Sequence, residues 1–144
     1  MAYYNKIGLL ILNKNKTKFL VCEKDPKNET SQYIMPGGHF KDFMSSNEKT
    51  LEECLRNEIK EELNCDVDLS SIKYLGKYED IAAGTKDIKL SMKLYRGKII
   101  GKPKPSTEIK FIHWIGKEDM KNPKVSSIIK NKIIPDLTKK NILK

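Results

Sequence analysis

The segment TLEECLRNEIKEEL, residues 50–63, repeats its apolar side chains at Leu51, Cys54, Leu55, Ile59 and Leu63. That spacing follows the helical turn, so the stretch reads as an amphipathic helix with one stripe turned to a core. Thr50 stands at the N-cap with Glu53 at the reciprocal place of a capping box, and Asn64 is a fair helix stop. A helix with one apolar stripe needs an apolar layer to lie on.

The rest of the chain supplies that layer as strands. KIGLLILN and KFLVCE, residues 6–13 and 18–23, are apolar runs parted by the polar KNKT and read as a hairpin. SIKYLGKYEDIAA (71–83) and IKLSMKLYRGKII (88–100) flank the turn GTKD, and the proline-bearing loop GKPKPSTE leads to a last strand, IKFIHWI (109–115). Five or six strands are expected. Val125, Ile128, Ile129 and Ile133 share one face of a second helix near the end. The order strands, helix, strands, helix predicts a mixed α/β or α+β fold, a sheet sandwiched between helices.

At 144 residues and 38% hydrophobic, the chain suits a single domain, residues 1–144, whose core needs no staples. The apolar run IGLLIL is too short to span a bilayer and lacks the flanks of a leader, so no membrane partner is expected. Cys22, Cys54 and Cys65 form no CxxC pair and leave one over, which argues against a disulfide framework or zinc site and for a reducing, cytoplasmic setting. Net charge is +9, yet only Arg56 and Arg96 among the 28 basic residues are arginine. Arginine is the usual reader of bases and phosphates, so a lysine-coated solvated surface competes with a polyanion groove, and DNA is not an expected partner.

Against this basic background, residues 48–66 hold seven acidic and three basic residues, a local charge of −4 that leaves +13 for the remainder. Glu58, Glu61 and Glu62 fall at i, i+3 and i+4 of the helix, where like charges repel by a few tenths of a kcal/mol, roughly, per pair. Either the face is simply solvated or a cation sits on it, and all-oxygen donors suit Mg²⁺ or Mn²⁺. Ahead of the helix, Pro36-Gly37-Gly38 gives backbone freedom and close approach. A backbone that can come near phosphate beside carboxylates makes a diphosphate pocket, though not a P-loop, since GK[ST] is missing.

These residues resemble the Nudix hydrolases, whose box is written GX5EX7REUXEEXGU. Gly38 corresponds to the first glycine, and NEIKEELNC places Glu58, Ile59, Glu61 and Glu62 at the matching positions. YIMPGG and EIKFIHWI, with Glu108 six positions before Trp114, are also similar to family members. The resemblance implies a metal-dependent hydrolase that cleaves the pyrophosphate of a nucleoside diphosphate linked to another moiety. It assigns Mg²⁺ (or Mn²⁺) to Glu58, Glu61, Glu62 and the Gly38 backbone, with Glu58, Glu61 and Glu108 as catalytic candidates. Gly37, Gly38, Phe40 and Phe43 are the candidates for substrate binding, the two phenylalanines either anchoring their loop or stacking on a ring.

The sequence departs from the box in four places. Lys49 replaces the first glutamate, Asn57 the arginine and Asn64 the second glycine, and the stretch from Gly38 to Glu58 is five residues longer. The box sets the reaction and the loops choose the leaving group. A small nucleotide is the preferred substrate, with decapping of capped RNA and a binding module weakened in catalysis as alternatives. In the last strand, Phe111 and Trp114 are expected in the core, with base-stacking platforms as the alternative, and His113 on the strand's other side, near a ligand.

Overall fold

A computed structural model describes residues 3–25, 27, 32–39, 51–83, 85–107 and 109–144. Among the described residues there are six strands: β1 (Tyr3–Leu10), β2 (Phe19–Glu23), β3 (Gly37–His39), β4 (Asp66–Ile81), β5 (Lys89–Ile100) and β6 (Phe111–Ile115). They form a four-stranded sheet in the order β3-β1-β5-β4 and a two-stranded sheet of β2 and β6. The larger sheet is mixed: β1 runs parallel to β5 and antiparallel to β3, while β4 and β5 are antiparallel.

The expected helix is α1 (Leu51–Leu63), and its stripe behaves as the spacing requires: Cys54, Leu55, Ile59 and Leu63 are buried. They pack with Ile7, Leu9, Val67 and Tyr95 on one face of the sheet. Asn64 ends the helix at φ 54°, the left-handed conformation that asparagine tolerates. Its side-chain amide donates to Pro105 O at 2.8 Å, tying the helix end to the 101–107 loop. Arg56 clamps α1 to the start of β4, its Nε 2.7 Å and its terminal nitrogen 3.0 Å from the two Asp66 carboxylate oxygens. Thr50, the expected N-cap, lies outside the described residues.

On the opposite face, Leu10, Tyr78, Met92 and Leu94 meet Val125, Ile128, Ile129 and Ile133. The closing helical segment starts at residues 127–128, widens into a π turn, Ile129–Ile133, and continues as α2 (Ile134–Lys139). The widened turn adjoins Pro135, which has no N–H for the ordinary ladder. The sheet therefore lies between helices, as the sequence order predicts, and no described helix is long and apolar enough to cross a membrane.

The first hairpin is only partly as expected. Its tip closes tightly, with Asn13 N–H donating to Lys18 O at 2.9 Å and Leu20 N–H to Ile11 O at 3.0 Å. Beyond the tip the arms part, β1 entering the larger sheet and β2 pairing with β6. β2 is buried on both faces, so it fills the space between the layers rather than extending one of them.

The last strand corrects a second expectation. Phe111 is 51% and Trp114 39% exposed, so neither is a core residue. Phe111 and His113 share a face, their rings 6.3 Å apart, because residues two apart in a strand point the same way. Trp114 points to the other face.

Candidate active site

β3 and α1 meet at the diglycine. Gly8 and Ile7 of β1 pair with Gly37 and Gly38, which sets those two glycines at the edge of the sheet below the helix. Gly37 has φ +146°, and a Cβ there would lie 1.9 Å from Ile7 O, so only glycine can hold this position. Its N–H donates to Glu62 Oε1 at 2.7 Å. At Gly38 a Cβ would come within 2.4 Å of Glu58 Cδ, so the carboxylate rests directly on the glycine backbone.

Glu62 is buried, and its neighbourhood explains how a carboxylate is tolerated there. Lys6 enters from β1, also buried, and its ammonium donates to Met35 O at 2.6 Å. Burial pulls the Lys6 ammonium below its ordinary value, and the carboxylates of Glu62 and, less strongly, Glu58 push it back. Cys22 lies in the same pocket of charge: burial, then the field of Glu62, raises its thiol to about 12. Lys6 thus sets a positive charge beneath the acidic face.

Of the three box carboxylates, Glu62 and Glu58 are brought to the diglycine, whereas Glu61, the residue before Glu62, is exposed. Among the described residues, no three histidine, cysteine or acidic side chains are gathered closely enough to hold a metal ion. The donor chemistry nonetheless fits a hard divalent cation, because the acidic side chains at the diglycine, Glu58 and Glu62, offer carboxylate oxygens. Asn57 is exposed on α1. Lys49, Phe40, Phe43 and Glu108 lie outside the described residues.

Two charged residues escaped sequence reasoning. Lys6 interrupts β1, and Glu23 ends the apolar β2, where it is 4% exposed and accepts from Lys124 Nζ at 3.5 Å while lying 3.1 Å from His113 Nε2. His113 is stacked on Tyr33 with ring centroids 4.3 Å apart. The available signal was the charge itself, since a strand that buries a lysine or glutamate must also bury its partner.

Comparison with known proteins agrees with this geometry. The NUDIX domain family matches residues 3–137. A MutT protein from Methanosarcina mazei Go1 superposes with a TM-score of 0.70 at 16% identity, covering 97% of this chain and 96% of that one. The Escherichia coli ORF135 protein gives 0.66 at 12% identity over 97% and 91% of the two chains. A NUDIX hydrolase from Nitrosomonas europaea gives 0.63 at 15% identity over 96% and 87%. At these identities the likeness is one of fold. No curated protein matches the sequence. With its diglycine strand and acidic helix joined as described, and the family match running through nearly its whole length, the chain belongs to the Nudix hydrolase family.

Proposed function

We propose that the protein, as a single domain, hydrolyses the pyrophosphate bond of a small nucleotide, a nucleoside diphosphate linked to another group. The observation that carries the proposal is the junction of α1 with the diglycine, where Gly37 N–H binds Glu62 and Glu58 lies against Gly38. Glu58, Glu61, Glu62 and the Gly38 backbone are the residues that would hold Mg²⁺ or Mn²⁺. Such an ion supplies charge stabilisation at phosphorus and a more acidic water.

The chain's own groups do the rest. Glu62 is held by the Gly37 N–H and by the nearby Lys6, which fixes the direction of its carboxylate at the diglycine. Glu58, lying against the Gly38 backbone, would accept a proton from the attacking water or orient it. Glu61 faces outward, where a bound phosphate chain would arrive. Glu108 remains a candidate second base. The glycines admit phosphate oxygens to the backbone, and the surrounding positive charge favours their approach. Cys22, Cys54 and Cys65 are buried thiols outside any disulfide, which suits a reducing compartment, and we assign the protein to the cytoplasm.

Capped RNA is the second reading, favoured by the +13 that lies outside the acidic segment. The deciding experiment assays nucleoside triphosphates, dinucleoside polyphosphates, nucleotide sugars and capped RNA with Mg²⁺ at two salt concentrations, and again in excess EDTA. Turnover of a small nucleotide that EDTA abolishes is expected. Turnover in EDTA would overturn the metal assignment, and turnover of capped RNA alone would overturn the substrate class.

A further inference from the structure

The β4–β5 ladder slips register between Asp68 and Lys73, and this bulge opens the sheet next to the tight hairpin that follows β1. A groove of about 900 Å³ results, floored by Gly97 and walled by Trp114 from β6. A Cβ on Gly97 would come 3.1 Å from Leu9 Cδ1, so the floor is low because that residue has no side chain. The groove begins at Leu10, beyond the Ile7 and Gly8 positions that pair with the diglycine, and shares no lining residue with the candidate active site.

Its charge is one-sided. Lys14, Lys16, Lys73, Arg96 and Lys98 line it, and none of these side chains is ion-paired among the described residues. The acidic residue in the lining, Asp68, is turned onto the local chain, accepting from Ser70 N–H at 3.1 Å and Ser70 Oγ at 2.6 Å. A solvated lysine surface has no use for an exposed aromatic, yet Trp114 stands 39% exposed against these cations. Arg96 adds one of the chain's two guanidinium groups, flat enough to stack as well as pair.

We propose that this groove binds single-stranded nucleic acid, with Trp114 stacked on a base and the five cations following the phosphates. An aromatic platform beside a basic track is the arrangement that holds a single strand with little regard to sequence. A free nucleotide would engage only one end of such a track. Binding here is independent of hydrolysis at α1 and extends the chain's ligands beyond the small nucleotide proposed above.

Trp114 is the only tryptophan in the chain, so its emission reports stacking directly. The test titrates the full protein in EDTA with a fluorescent 12-mer of uridylate and, in parallel, of thymidylate, at several salt concentrations. Binding with quenching of Trp114 emission is expected, and the ratio of the two affinities tells RNA from DNA. Trp114→Leu should weaken binding by about 5- to 100-fold. Lys73→Gln with Lys98→Gln should lower the slope of log affinity against log salt by about 1.4, or 0.7 for each lost phosphate contact. Lys132→Gln with Lys139→Gln, on the C-terminal helical segment, should leave it unchanged. Absence of quenching, an equal effect of the two lysine pairs, or inorganic polyphosphate that binds as tightly with no dependence on Trp114 would each overturn the proposal.

Discussion

The Gly37 N–H reaches Glu62 Oε1 across 2.7 Å, fastening the edge strand to the helix at the most acidic stretch of the chain. A backbone donor from a residue that no other amino acid can replace thus fixes the direction of a carboxylate. The adjacent glycine has a different task, which makes the pair separable by mutation.

Gly37→Ala is expected to cost stability, by about 3 kcal/mol or more, since it adds a strained φ to a 1.9 Å approach to Ile7 O. Gly38→Ala meets only the flexible Glu58 side chain, so the fold should hold while turnover falls roughly 10- to 100-fold. Thermal melts alongside steady-state kinetics separate the two. A Gly38→Ala protein with wild-type kcat would remove Glu58 from the reaction.

Glu61→Gln and Glu62→Gln should each lower kcat by roughly 10² or more, the scale of a lost metal-borne electrostatic contribution. Their stabilities should differ. Glu61 is exposed, so its change should stay within about 0.5 kcal/mol. Removing the Glu62 charge strands the buried Lys6 ammonium and should cost about 1–3 kcal/mol. Urea denaturation of both variants is the check, and equal midpoints would contradict the Lys6–Glu62 coupling.

Asn57→Arg restores the residue of the family box. If asparagine weakens the support of the neighbouring glutamates, activity should be equal or higher, with an upper scale of roughly 10- to 100-fold. A marked drop in kcat/KM would mean that the lengthened loop has rearranged this part of the site.

The Tyr78 hydroxyl donates to Asp136 and, with Lys140, holds that carboxyl below the usual range. A depressed folded value contributes stability above the unfolded pKa of about 3.9 and loses it as pH falls through the folded one. Tyr78→Phe should therefore be less stable than wild type by about 1–2 kcal/mol at pH 7. The gap should shrink as pH is lowered past the unfolded value of about 3.9 and on through the depressed folded one. Melts at pH 7 and pH 3 that show a constant difference would place the bond's contribution elsewhere than in the charge.

The helix was legible because its stripe is written in five residues at one spacing, and Asn64 marked its end. What escaped was pairing. Phe111 shares its face with His113 and not with Trp114, three positions on, and alternation does not tell whether anything covers a face, so the expected core places of Phe111 and Trp114 are both open to solvent. The hairpin failed for a related reason: the turn at Asn13–Lys18 is local, while the parting of β1 from β2 depends on strands nearly a hundred residues away. Glu58, Glu61 and Glu62 could be named from spacing, yet their different orientations follow from the diglycine's conformation, which spacing does not encode.

β1 lies inside the larger sheet, and its parallel neighbour begins 86 positions later, from Tyr3 to Lys89. During synthesis the acidic helix and its glycines are made well before β1 gains that neighbour, so for this interval one edge of the strand is unpaired. Closing so long a loop is slow relative to local turns. Until β5 arrives, a growing chain offers the apolar end of β1 to whatever else is nearby, and assembly of the diglycine corner waits on a segment that contributes no residue to it.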